Sequence, residues 1–315
     1  MTLHARQRTV ARSVKCIGMG VHSGKNVNLT IRPAPANHGI KFVRTDLPGH
    51  PEIPAHFNRV VDTSLATVIG FNGCIVSTIE HLMASFAGLH IDNAVVALDA
   101  YEVPIMDGSA GPFTEAIRSA GIKEQNGPRC FFMINEPIEL TDGDRSAAIY
   151  PDADFRITCT IDFDHPLVRR QTVTFEMDED GFARDVSRAR TFGFYHEVEY
   201  LKRFGFARGG SLENAVVLGA DGVMNGDGLR YEDEFVRHKL LDCIGDFSLL
   251  GMPMLGHVVT HRSGHAFNHA FLEKFFASKS AWETRTIHDA AYWKTPRPAQ
   301  PGRGASRAGL SRVAV

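Results

Sequence analysis

A helix-compatible run near residue 240, Glu234-Phe-Val-Arg-His238-Lys239-Leu-Leu-Asp242-Cys-Ile-Gly-Asp246, sets one imidazole and two carboxylates at i, i+4 and i+8. On a helix these three share a face, leaving Phe235 and Leu241 for packing. A histidine and an aspartate one turn apart can bind a divalent cation, as the two histidines of H-E-x-x-H do. Alone, such a pair is more often a surface ion pair. A distant fragment, Ser77-Thr78-Ile79-Glu80-His81-Leu82, offers a third ligand beside another carboxylate. His81, His238 and Asp242 would give two neutral nitrogens and one carboxylate oxygen, the three-ligand set with an open position that suits catalytic zinc. Such a cation activates water for hydrolysis, and Glu80 stands beside His81 to take the proton. The competing readings are a Ser77/Glu80 capping box and a packed core histidine. One explanation for all three ligands together favours the metal.

His265 follows Ser263-Gly264 and precedes a helix-compatible run, 266–276. Histidines at 257, 261, 265 and 269 have helical spacing, but Ser263-Gly264 interrupts any helix and Val258-Val259-Thr260 favours a strand. His265 alone is then poised at the strand ends, where as imidazolium it could stabilise an oxyanion and protonate a leaving amine. Asp246 could hydrogen-bond its ring and favour the charged form. The glycine-rich fragment at 18–25 fits neither common phosphate-loop pattern and reads as a tight turn between antiparallel strands. Asp107-Gly-Ser-Ala-Gly-Pro112 reads as a second turn, leading into a helix from Pro112.

The elements needed to hold these residues recur in the same order twice. In the first half, strands such as 27–31 precede a helix at 80–87, a strand at 94–98 and a helix from 112. In the second, strands at 147–150 and 155–162 precede a helix at 234–249, a strand at 257–260 and a helix from 265. His81 and His238 then fall near the starts of matching helices, as a duplication would place them. The polar, glycine- and proline-bearing stretch 121–128 reads as the linker between halves. The expected fold class is α+β: two similar domains, each a mainly antiparallel sheet packed on helices, layered with the active site at their interface. Their expected extents are 1–126, with inserted hairpins at about 44–73, and 127–285; 286–315 is a C-terminal extension, read as disordered at its end. Positions 194, 198, 201 and 205 share a helical stripe, which by periodicity alone is a helix packed on its own domain.

Composition sets the outer bounds. The 315 residues are 43% hydrophobic and 22% charged with a formal net charge of −2, a balance that gives no reason to expect nucleic acid as partner. No stretch approaches the roughly 20 apolar residues of a membrane span, so at most peripheral membrane contact is expected. The five cysteines are scattered and never paired as C-x-x-C, which points away from disulfides or thiolate zinc and towards a cytoplasmic protein. A monomer is the default.

Together the motifs resemble the UDP-3-O-acyl-N-acetylglucosamine deacetylases, which catalyse the committed step of lipid A biosynthesis. The resemblance runs over about residues 5–285, through Gly20-Val-His-Ser-Gly24, Ser77-Thr-Ile-Glu-His-Leu82 and Ile105-Met-Asp-Gly-Ser-Ala110. It continues through Arg188-Ala-Arg-Thr-Phe-Gly193, Ser211-Leu-Glu-Asn-Ala215, Asp233–Asp242 and Gly264-His265-Ala-Phe-Asn268. It implies a zinc enzyme, with ferrous iron the alternative, whose metal is held by His81, His238 and Asp242. Glu80 would be the general base, His265 the acid or electrostatic stabiliser, supported by Asp246, and Thr191 an oxyanion donor. Lys239 and Phe192 would bind a nucleotide-sugar acyl substrate. A β-α-β insert at about 193–217 would form an acyl passage, making Phe194, Val198, Ala207, Ser211, Leu212 and Val217 candidate lining residues and reversing the packed-helix reading. Two other readings fit the same residues: a metal hydrolase of another amide or ester, and a nucleotide-sugar binding protein with a structural metal. The open three-ligand set speaks against the last.

Overall fold

Strands that alternate buried and exposed residues, such as Asn26–Pro33 with Val27, Leu29 and Ile31 turned inward, ask for an apolar layer on one face only. The computed structural model describes residues 4–286 apart from residue 221. Its first half lines up five strands in the spatial order Val14–Met19, Asn26–Pro33, Ala94–Leu98, Ile40–Arg44, Glu52–Pro54. Every pairing is antiparallel except the one between Ala94–Leu98 and Ile40–Arg44. The second half repeats this order with Ile138–Asp142, Arg145–Tyr150, Met254–His261, Phe155–Asp162 and Arg170–Glu176, and its parallel pair again joins the third and fourth strands. Cys130–Ile134 and Trp282–Thr286 widen the second sheet beside the start of Met254–His261.

The helices are α1 (Glu80–Gly88), α2 (Gly111–Ala120), the single turn α3 (Glu179–Gly181), α4 (Tyr195–Arg203), α5 (Glu234–Phe247) and α6 (His265–Ala277). α1 and α2 flank Ala94–Leu98 in sequence as α5 and α6 flank Met254–His261. The fold is thus α+β, with two layered halves of one plan. α1 and α5 pack on each other where the halves meet. Both are buried nearly all round, α1 through Leu82, Met83 and Phe86 and α5 through Phe235, Leu240, Ile244 and Phe247. That burial is what a helix in an inner layer requires. Gly245 makes their approach close: a Cβ there would lie 2.1 Å from the Glu80 carbonyl oxygen.

Several local readings change. No capping box forms at α1; the N-cap is Ile79, and the Ser77 hydroxyl sits 3.2 Å from Thr78 Oγ1. The stretch read as a linker holds a strand, Ile122–Pro128, paired antiparallel with Arg6–Val10. Its partner lies over a hundred residues away, so its own composition could not announce it. The stretch 44–73 does hold hairpin strands: Val68–Phe71 pairs antiparallel with Val60–Asp62 on one side and, just past the expected insert, with Cys74–Val76 on the other. Phe194 and Gly205 lie outside α4, so the four-residue helical stripe does not exist, and α4 buries none of its residues fully. Instead Phe192–Phe194 pairs parallel with Val216–Leu218, giving a β-α-β unit around α4. The expected disordered tail lies outside the described residues.

Candidate active site

His81 occupies the first turn of α1, and His238 and Asp242 stand one turn apart on α5. Asp242 Oδ1 is 3.7 Å from His81 Nε2 and 3.4 Å from His238 Nε2. The two imidazole rings are 5.0 Å apart at 86°. One ligand atom from each residue lies within 4.8 Å of the others, the only such cluster among the described residues. All three side chains are buried, and Asp242 Oδ1 has no hydrogen-bond partner. A carboxylate oxygen left so costs free energy unless a cation meets it. His238 Nδ1 donates to the Ala189 carbonyl at 3.0 Å, which leaves Nε2 bare towards Asp242.

The protonation states suit a metal. Burial pushes His81 down to about 3, with His238 adding to the effect, and burial also lowers His238. Burial opposes ionisation of Asp242, but His238 and the Lys239 ammonium outweigh it and hold the carboxylate well below its usual range. Lys239 Nζ donates to Asp242 Oδ2 at 2.9 Å. Two neutral imidazoles and one ionised carboxylate, with an orphaned oxygen among them, fit a divalent cation.

A second pair of groups borders this cluster. Glu80 Oε2 accepts the Thr67 amide at 3.1 Å, and Oε1 lies 4.0 Å from His265 Nε2. Burial pushes Glu80 up to about 7, partly offset by His265. Burial disfavours the His265 cation too, but Asp246, which accepts from Nδ1 at 2.9 Å, more than compensates and raises it to about 10. A carboxylate with proton affinity near neutrality thus faces an imidazolium, the division expected of a base and an acid.

The remaining predicted residues are set by backbone anchors. The Thr191 amide donates to Gly108 O at 2.7 Å and its carbonyl accepts from Val216 at 2.8 Å, while its hydroxyl has no partner among the described residues. Arg190 beside it is 2% exposed and donates to Glu234 Oε1 at 2.9 Å, fastening this segment to the start of α5. Lys239 Nζ stands 5.8 Å over the Phe192 ring. A cavity of about 600 Å³ joins Glu80, His81, His238, Asp242, His265, Thr191, Phe192 and Lys239 to Val198, Ala207, Ser211, Leu212 and Val217. Its outer wall is the β-α-β unit, held to the first half where Gly209 donates to Val21 O at 3.0 Å.

The family model described as "LpxC: UDP-3-O-acyl N-acetylglycosamine deacetylase" matches residues 7–277. The chain belongs to this deacetylase family. A UDP-3-O-acyl-N-acetylglucosamine deacetylase from Myxococcus xanthus is 52% identical over 277 residues, covering 88% of each chain. Relatives of the same name from Teredinibacter turnerae and Saccharophagus degradans are each 48% identical over 286 residues, covering 90% of this chain and 94% of their own.

Within this member of the deacetylase family, two predicted positions stand apart from the cavity. Asp246 lies behind His265, consistent with acting through it. Phe194 does not line the cavity: it shares a strand face with Phe192, and both rings meet Phe163, but one residue pair further along its ring packs on Phe163 at 6.0 Å and His165 at 5.2 Å. Sequence reading also missed Thr67 and the buried Glu102. Glu102 accepts the His22 and Ser23 amides, each at 2.8 Å, and so pins the turn that borders the cavity. Neither has a motif of its own; only the tertiary fold brings them in.

Proposed function

We propose that this chain hydrolyses the N-acetyl group of UDP-3-O-acyl-N-acetylglucosamine to UDP-3-O-acyl-glucosamine and acetate, the committed step of lipid A biosynthesis. We take the metal to be zinc, with ferrous iron the alternative, and the enzyme to be a cytoplasmic monomer with at most peripheral membrane contact and no nucleic-acid partner. The observation that carries this reading is the orphaned Asp242 Oδ1 between the Nε2 atoms of His81 and His238, in the lining of a largely apolar cavity. Family membership supports the choice of substrate.

A cation held by His81, His238 and Asp242 supplies Lewis acidity towards water and the amide carbonyl. Glu80 accepts a proton from the attacking water as the new C–O bond forms. Thr191 donates its free hydroxyl to the oxyanion that develops on the former carbonyl oxygen. His265, charged by its pairing with Asp246, protonates the amine nitrogen as the C–N bond breaks and acetate leaves. Lys239 and Phe192 hold the sugar beside the cluster. Val198, Ala207, Ser211, Leu212 and Val217 line the acyl passage in the insert at about 193–217. We place the domain boundary near residue 126.

Acetate release from UDP-3-O-acyl-N-acetylglucosamine, before and after chelation and zinc re-addition, tests the reading. Chelation should abolish release and zinc should restore it. Intact metal with no release would overturn the substrate assignment, and release unaffected by complete metal removal would overturn the metal's role.

A further inference from the structure

Thr67 touches both proton-handling groups although it belongs to neither helix that carries them. It precedes the strand Val68–Phe71 in the first half and is 2% exposed. Its amide donates to Glu80 Oε2 at 3.1 Å, and its carbonyl accepts the Ile79 amide at 3.4 Å, just before α1. Its hydroxyl donates to Asp246 Oδ1 at 2.5 Å and lies 3.3 Å from His265 Nδ1. One residue therefore bonds Glu80 from the first half and the Asp246–His265 pair from the second. We propose that Thr67 is a positioning residue that fixes the spacing of Glu80 and His265 across the two halves. This rests on the roles given to those two groups above.

The division of hydrogen bonds at Asp246 explains why the hydroxyl matters. Oδ2 accepts from His265 Nδ1 at 2.9 Å and from Asn268 Nδ2 at 2.8 Å. Oδ1 accepts from Thr67 and, among the described residues, from nothing else. Without that hydroxyl, Oδ1 becomes a buried acceptor without a donor, at a residue only 3% exposed. The carboxylate is then free to turn, and His265, tethered through Nδ1, turns with it. The backbone bond to Glu80 is untouched by substitution. The loss should thus fall on the step that needs Glu80 and His265 in register, and not on metal binding or substrate affinity.

The test compares Thr67→Val, which removes the hydroxyl at nearly constant shape, with Thr67→Ser, which keeps it. Thr67→Val should lower kcat about 10–100-fold, the range for residues that orient a catalytic group. KM and metal content should stay within about twofold, and Thr67→Ser should restore most of kcat. In an Asp246→Asn background, Thr67→Val should cost no further activity. The His265 Nδ1 proton resonance should move in Thr67→Val and return in Thr67→Ser, a readout that needs no substrate. Unchanged kcat in Thr67→Val, a serine variant as impaired as the valine one, a loss additive with Asp246→Asn, or an unmoved resonance would each overturn the proposal. If Thr67→Val does not fold, Thr67→Ala takes its place in the same cycle. A wild-type protein that releases no acetate would sink the proposed function instead, while the resonance still decides the Thr67–His265 link.

Discussion

Asp242 and Asp246 are one turn apart on α5, and what faces them separates their chemistry. Asp242 Oδ1 faces Nε2 of both His81 and His238 and has no donor. Asp246 faces only donors: Thr67, Asn268 and His265. On the proposed reading, one carboxylate meets a cation and the other holds an imidazole. This predicts a clean split between variants. Glu80→Ala should cut kcat by about 10²–10⁴ while metal content stays stoichiometric, since the proposed ligand set leaves Glu80 out. His81→Ala should lose the metal itself. Elemental analysis beside acetate release checks both, and full metal content in His81→Ala would refute the ligand set. That these residues would meet was legible in the sequence because their types are chemically unusual at those spacings. Thr67 was not, since a lone threonine in a loop carries no pattern until two helices close on it.

At the level of elements, periodicity located both helices of the cluster to within a residue or two. It failed where the partner was remote, as for Ile122–Pro128, or where a short strand imitated a helical stripe, as at Phe194. The α1–α5 crossing depends on the absence of a side chain at Gly245, because the Glu80 carbonyl already occupies that space. Gly245→Ala should raise helix propensity yet destabilise the protein, as overpacking costs about 1–3 kcal/mol and outweighs the gain of under about 1 kcal/mol. Because the displaced atom belongs to Glu80, next to His81, metal affinity should fall along with thermal stability. A variant with raised Tm and unchanged metal affinity would show the crossing to be looser than described.

Over the whole molecule, the two halves are also tied far from the cluster. Glu179 in the second half pairs with His4 at 2.6 Å and with Arg8, and its carbonyl accepts from Arg118 at 3.1 Å. Burial opposes ionisation of Glu179, but hydrogen bonds from His4 and Arg8 lower it from the usual 4.5 to about 2. A depressed carboxylate stabilises the fold fully above its unfolded value and loses that contribution as pH falls through the folded one. Glu179→Gln should therefore lower Tm by a few degrees at pH 7, and the gap to wild type should close between about pH 4.5 and 2. A gap constant over that range in thermal melts would show that the tie is not electrostatic. The matching strand orders of the halves were half legible: the repeat of strands and helices could be read along the chain, the shared pairing order could not. That division has a consequence for how the molecule is made. His81 is synthesised early, but His238 and Asp242 come late in the chain. A growing polypeptide, folding its N-terminal half first, therefore carries only one of the three proposed ligands until most of it has left the ribosome. On the proposed ligand set, metal acquisition would be a closing event in its biosynthesis, and any product truncated before α5 would be born without two of the three residues that hold the cation.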